Sequence, residues 1–415
     1  MRIKQAERNI RYSLIIYSLN NILKFIVRVV FVKCLPVEYL GINGLFSNVL
    51  ALLTLAELGV GQSIVYSLYK PLASDDTETI KLLMKLFKKA YIAIGCFIIA
   101  VGFFMIPWLE WFIKDNNISN LRLFYVIFLL NTGISYFYAY KRDIIIADQK
   151  QYINSIYQGM GQIILAVFQV VSLVVYESYL IYIALMLVIT MCENWMVARK
   201  ADKLYPYLRE SAAGCLSSDI YLKIKQNIKA MVGHRLGSVL VTSSPNIILS
   251  KFIGLSAIAV YSNYFLVISA VNNLANQFFS SLIAGIGNLI ALESSQKKAD
   301  IFKVIEFIVA WQAMIVCCGF YMLFNPLIEL WLGKSFLFET IIVDCLIVNF
   351  YLMYMRKAVL AFRDASGLYW NDRYKPLAEA VINLVVSVYL TIHYGVIGVI
   401  WGGIISTLLT CFWIE

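Results

Sequence analysis

Charge is scarce in this chain. Only 14% of its 415 residues are Asp, Glu, Lys or Arg, against about 25% in an ordinary soluble protein. Histidine is scarcer still: His234 and His393 are the only two, and neither has a partner at metal-ligand spacing, which argues against a metal site. The eight cysteines (Cys34, Cys96, Cys192, Cys215, Cys317, Cys318, Cys345, Cys411) include no pair separated by two residues and mostly lie in apolar runs. They read as small buried hydrophobes rather than metal ligands. A set of soluble domains, the usual expectation at this length, is excluded because too little polar surface is available to solvate them.

Apolar side chains are what the chain has in plenty, at 61% of the sequence, and the mean hydropathy is +0.75. Twelve membrane crossings of about 20 residues each would use about 240 residues, close to the apolar share. The runs fall at 12–33, 44–68, 90–112, 120–140, 154–176, 178–197, 228–252, 256–290, 304–325, 340–360, 376–393 and 396–414. The eighth exceeds one crossing, which calls for tilt or an interfacial turn. The first carries Lys24 and Arg28 and lacks a small-residue cleavage site, so it reads as a span and not as a signal peptide.

Lys and Arg set the orientation. With the N-terminus inside, the inner segments hold 27 of them and the outer segments 5. Both termini are therefore expected to be cytoplasmic. The same bias accounts for the net charge of +10, leaving no case for a nucleic-acid partner.

The second half echoes the first. Asn9-Ile10 matches Asn227-Ile228 at an offset of 218, Pro107 and Glu110 match Pro326 and Glu329 at 219, and Arg142-Asp143 matches Arg363-Asp364 at 221. Four ordered anchors at nearly one offset indicate an internal repeat. An even number of spans per unit makes the repeats parallel. The expected architecture is an all-α integral membrane protein of about 12 transmembrane helices in two six-helix lobes, 1–197 and 228–415, joined by a basic cytoplasmic linker at 198–227.

Charged side chains inside spans cost about 2.5–3.5 kcal/mol each on insertion scales, so their placement is informative. Asn20, Lys24 and Arg28 share one face of the first span. Arg235 and Asn246 lie on the seventh, where Pro245 is expected to kink the helix. Lys24, Arg28 and Arg235 are candidates for receiving an anion, or else they pair with Glu57 and lock helices together. Asn20, Asn246, Asn273, Gln162 and Asn383 are candidate cavity-lining groups suited to a sugar, with interhelical hydrogen bonding as the alternative. Glu57, near the middle of the second span, and Glu379, on the eleventh, are candidate coupling carboxylates. Gly59 and Gly61 follow Glu57, but no strand precedes them, so a phosphate-binding loop is unsupported.

The chain resembles the Wzx-type polysaccharide repeat-unit flippases of the multidrug/oligosaccharidyl-lipid/polysaccharide (MOP) exporter superfamily. The resemblance rests on basic residues before an Asn-bearing first span, on Leu35-Pro36-Val37-Glu38-Tyr39-Leu40-Gly41-Ile42, and on Glu57-Leu58-Gly59-Val60-Gly61. Near the C-terminus, Pro376-Leu377-Ala378-Glu379-Ala380-Val381-Ile382-Asn383-Leu384 and Gly395-Val396-Ile397-Gly398-Val399 add to it. It implies a MATE/MurJ-like fold, no cofactor, and transport of an undecaprenyl-pyrophosphate-linked oligosaccharide across the bacterial cytoplasmic membrane. Lys24, Arg28 and Arg235 occupy the kind of position that receives the pyrophosphate in related lipid II flippases. Expected partners are the lipid-linked substrate, membrane lipids, and the polysaccharide polymerase and other assembly proteins. A cation-coupled multidrug exporter or a lipid II flippase is the sibling reading. A membrane polymerase or glycosyltransferase is disfavoured because no outer connection carries paired carboxylates spaced for acid–base work.

Overall fold

In lipid every backbone N–H and C=O must find its partner inside the chain, so apolar runs of this length become helices. The computed structural model describes residues 2–57, 59–114, 118–210, 216–292, 294–366 and 374–414. Among these there are fourteen α-helices and no strand. They are α1 (Arg2–Cys34), α2 (Val37–Leu53), α3 (Val60–Ala73), α4 (Thr77–Met105), α5 (Leu121–Ala147), α6 (Gln151–Tyr176) and α7 (Tyr179–Leu204). Then follow α8 (Ser218–Phe252), α9 (Leu255–Leu292), α10 (Ser295–Leu332), α11 (Thr340–Met355), α12 (Lys357–Ser366), α13 (Lys375–Tyr394) and α14 (Val396–Ile414). Cys215 and the side chains of His234 and Asp364 lie outside the described residues.

Ten helical stretches among the described residues are long and apolar enough to cross a membrane. The chain is a multi-pass membrane protein. Two expected spans are not among the ten. The apolar stretch of α14, Val396–Phe412, is shorter, and α8 carries Arg235, Ser238, Thr242 and Asn246 within its apolar half. The expected second span is not one helix. It is α2, a 3₁₀ turn at Thr54–Glu57, and then α3, with Gly59 at φ 76° opening the last piece. A left-handed residue at that point is tolerable only for glycine or a short polar side chain.

Two compact units emerge. The first is formed by 1–39, 49–110 and 116–235; the second by 40–48, 111–115 and 236–415. The boundary thus falls inside α8, and the segment expected as a linker belongs to the first unit. Part of it is ordered helix: α7 runs to Leu204, and a 3₁₀ turn at Pro206–Arg209 packs on α4 and α7.

The repeat is legible in how helices pair within each unit. In the first, α4 packs on α5, α5 on α7, α6 on α7 and α1 on α6. In the second, α10 packs on α11, α11 on α14 and α13 on α14. There α8 meets α13 at Gly237, where a Cβ would stand 2.3 Å from the Pro376 carbonyl oxygen. The repeat-equivalent prolines behave differently. Pro107 sits in a 3₁₀ turn, Ile106–Phe112, that finishes its helix, whereas Pro326 lies inside α10, which continues to Leu332.

Lipid is as apolar as leucine, so helices here associate through close packing and hydrogen bonds more than through burial of oily surface. Gly398 and Gly402, four apart on α14, let α13 approach to backbone contact. A Cβ at Gly398 would lie 2.3 Å from the Leu390 carbonyl carbon, and one at Gly402 would lie 2.0 Å from the Ser387 hydroxyl. Each unit also has an aromatic cluster. Phe31, Tyr39, Phe124, Tyr179 and Tyr182 pack with centroids 4.6–6.2 Å apart in the first. In the second, Tyr264, Phe320, Phe324 and Phe350 pack at 4.5–5.1 Å.

Candidate functional site

The break in the second span places Glu57 at the end of a helical turn, on the wall of a cavity of ≈ 360 Å³. Irregular backbone at membrane depth is tolerated where it lines such a space. The cavity is walled by Glu57, Gly61, Val65, Tyr66 and Tyr69 from the second span, Tyr91 from α4, and Asp143 and Ile146 from α5. The Tyr91 hydroxyl lies 3.1 Å from Glu57 Oε1 and 3.2 Å from Asp143 Oδ2. Tyr136, also on α5, donates to Glu57 Oε2 at 3.2 Å. Gly61 makes this possible: a Cβ there would stand 2.1 Å from the Tyr91 hydroxyl and 2.8 Å from Glu57 Oε1.

Chemically, a phenol has one hydrogen to give. With two carboxylate oxygens against the Tyr91 hydroxyl, both contacts are fully met when one carboxyl itself carries a proton. The arrangement is therefore suited to holding a proton or exchanging it for another cation.

The alternative in which Glu57 pairs with Lys24 or Arg28 finds no such ion pair among the described residues. Tyrosine hydroxyls take up both its oxygens, and among the described residues neither cation has a carboxylate within 4.0 Å. Lys24 is exposed on α1. Arg28, one turn further, is half-buried and acts electrostatically on Tyr182 of α7. Arg235 is exposed on α8 and close enough to act on Tyr136, the partner of Glu57. All three cations belong to the first unit. Ion pairs of that unit lie elsewhere; in one of them Arg142 donates to Glu193 at 2.9 Å and also to Asn194 Oδ1 at 2.8 Å.

The amide candidates divide. Asn20 on α1 and Asn246 on α8 each bury a side-chain oxygen that accepts no hydrogen bond among the described residues, as do several other buried amides such as Asn131, Asn154 and Asn263. Gln162 is half-buried on α6, and Asn273 is exposed on α9. Asn383 follows the alternative of interhelical hydrogen bonding. It is buried within the second unit, accepts from Ser244 at 3.1 Å and donates to Ser406 at 3.3 Å, so its amide ties α8, α13 and α14 together instead of facing a cavity. Glu379 is likewise buried, with its charge met by Arg356 at 3.5 Å.

Sequence reading missed Tyr91, Tyr136 and the chemistry of Asp143. Asp143 stands out in the sequence only as a repeat anchor, and nothing local separates the two tyrosines from the other 25.

No protein-family model matches the chain, and no curated protein sequence matches it. Solved structures do. A multidrug resistance MATE family transporter of the MOP superfamily, in an inward-facing conformation, aligns over 97% of this chain and 97% of its own, with a TM-score of 0.69 at 12% identity. The lipid II flippase MurJ aligns over 97% of this chain and 87% of its own, with a TM-score of 0.70 at 13% identity. A mutant of the Vibrio cholerae MATE transporter VcmN aligns over 98% and 94%, with a TM-score of 0.65 at 11% identity. At these identities the likeness is one of fold, and the fold is that of the MATE and MurJ transporters.

Proposed function

We propose that this chain is a flippase that moves undecaprenyl-pyrophosphate-linked oligosaccharide repeat units across the bacterial cytoplasmic membrane by alternating access, for capsule, exopolysaccharide or O-antigen assembly. The observation that carries this reading is that, among the described residues, Lys24, Arg28 and Arg235 have no carboxylate within 4.0 Å. Lys24 and Arg28 stand on α1 and Arg235 on α8, all within apolar runs of the sequence and all in one unit, and Glu57 is engaged by tyrosines instead. A membrane charge left without a fixed partner is costly and is kept where a transient partner arrives. A pyrophosphate supplies that partner. The orphaned amide oxygens of Asn20 and Asn246 suit sugar hydroxyls. Glu57, bridged through Tyr91 to Asp143, is the coupling carboxylate in this scheme. Glu379, held by Arg356, is not free for that part.

The test is export in cells. Lys24→Gln, Arg28→Gln and Arg235→Gln together should abolish surface polysaccharide while the protein still reaches the membrane. Normal export by the triple variant sinks the pyrophosphate role. A lipid II flippase is the second reading, favoured by the likeness to MurJ, and complementation in a strain depleted of its own lipid II flippase separates the two. A multidrug exporter carrying apolar cations fits less well, because three positive charges repel such cargo; drug efflux dependent on Glu57 would restore it.

A further inference from the structure

A second cavity, of ≈ 490 Å³, lies in the first unit away from Glu57, between the start of α4, the end of α5, the end of α7 and the Pro206–Arg209 turn. Five cations line it and only two carboxylates, Asp202 and Glu210. Both acids are already used. Glu210 and Glu78 hold Lys81 at 2.7 and 2.9 Å, and Asp202 holds Lys141 at 2.7 Å. The three cations that remain, Lys85, Lys88 and Arg209, have no carboxylate within 4.0 Å among the described residues. Lys81, Lys85 and Lys88 follow one another on one face of α4, and the ion pairs on Lys81 and Lys141 fix the walls against which the free ones stand.

The depth of this cavity is set by the helix. The stretch Thr77–Phe112 is 36 residues long, about 50 Å at the usual rise, whereas a hydrocarbon core is about 30 Å thick. Trp108, 58% exposed near the far end, is the kind of side chain that sits at a membrane interface. Counting back about 20 residues from it reaches Lys88. Lys85 and Arg209 then stand in the headgroup layer, on the face where Lys and Arg are concentrated.

We propose that this cavity binds a phosphate-bearing anion, presented there by the headgroup of an anionic membrane lipid, through Lys85, Lys88 and Arg209. The site does not depend on which substrate the protein transports, and none of its residues belongs to the Glu57 cavity.

The experiment uses purified full-length protein in nanodiscs. Native mass spectrometry counts retained lipid in phosphatidylcholine discs doped with phosphatidylglycerol, and titration follows binding of inorganic phosphate and pyrophosphate. Lys85→Gln/Lys88→Gln/Arg209→Gln should lower phosphatidylglycerol retention at least about tenfold and flatten its salt dependence. Lys70→Gln/Lys298→Gln/Lys303→Gln, which removes the same charge elsewhere, should leave retention as it is. Size-exclusion profiles report folding of both variants. If the free phosphates bind and depend on the three residues while the lipid does not, the phosphate site stands with a soluble source. Equal losses in the two variants, or no preference of the wild type for phosphatidylglycerol over phosphatidylcholine, overturn it.

Discussion

The two units treat a carboxylate inside the membrane in opposite ways. In the first, Glu57 sits at a helix break beside a cavity, held by two tyrosine hydroxyls, with a second carboxylate, Asp143, on the far side of one of them. In the second, Glu379 is buried on an unbroken helix and faces the guanidinium of Arg356. Its neighbour one turn on, Asn383, spends its amide on Ser244 and Ser406. A carboxylate met by a cation is a finished structural unit with little to gain from a proton or ion. One met by neutral hydroxyls keeps its net charge uncompensated and can respond to either. The local partners, and not the helical setting, decide which of these two carboxylates is structural and which is responsive.

Breaking the ion pair should have the largest effect on stability. Arg356→Met leaves Glu379 buried without its cation, and the loss should be about 3 kcal/mol, as for other buried pairs cut on one side. Adding Glu379→Met should recover most of it. Thermal unfolding in detergent measures both, and a double variant as unstable as the single one would show that the pair is not what holds these helices.

The Glu57 cluster should respond the other way, with function falling further than stability. Gly61→Ala puts a methyl where the Tyr91 hydroxyl lies and should cost about 1 kcal/mol. Tyr91→Phe removes the hydroxyl itself, at about 1 kcal/mol for lost hydrogen bonds. Both variants should fold and reach the membrane yet transport poorly in a polysaccharide export assay. Full export with Tyr91→Phe would demote the cluster to packing.

The smallest effect sharpens the contrast. Asn383→Ala removes two interhelical hydrogen bonds, each worth about 0.6 kcal/mol in a membrane protein, and export should persist. Loss of export at unchanged stability would return Asn383 to the cavity wall.

Much of this could be read along the chain. All twelve apolar runs fall on helices or helix pairs, and helices of the two units pair in a similar order. Lipid makes these features one-dimensional, because each span must satisfy its own backbone. Polar residues were harder to place. Asn20, Asn246 and Asn383 look alike in a sequence, each an amide on an apolar helix. Asn383 differs because Ser244 and Ser406, 139 and 23 residues away, converge on it.

By itself, then, the sequence determined that the chain spans the membrane many times, that its second half echoes its first, and that a few cations lie within its apolar runs. Tertiary structure alone decided which charges are answered. Glu57 meets tyrosines 34 and 79 residues further on, and Glu379 meets an arginine from α12's border. Such partnerships form only when helices pack, since a side chain's electrostatic partner is set by distances of a few ångströms across helices and not by position along one.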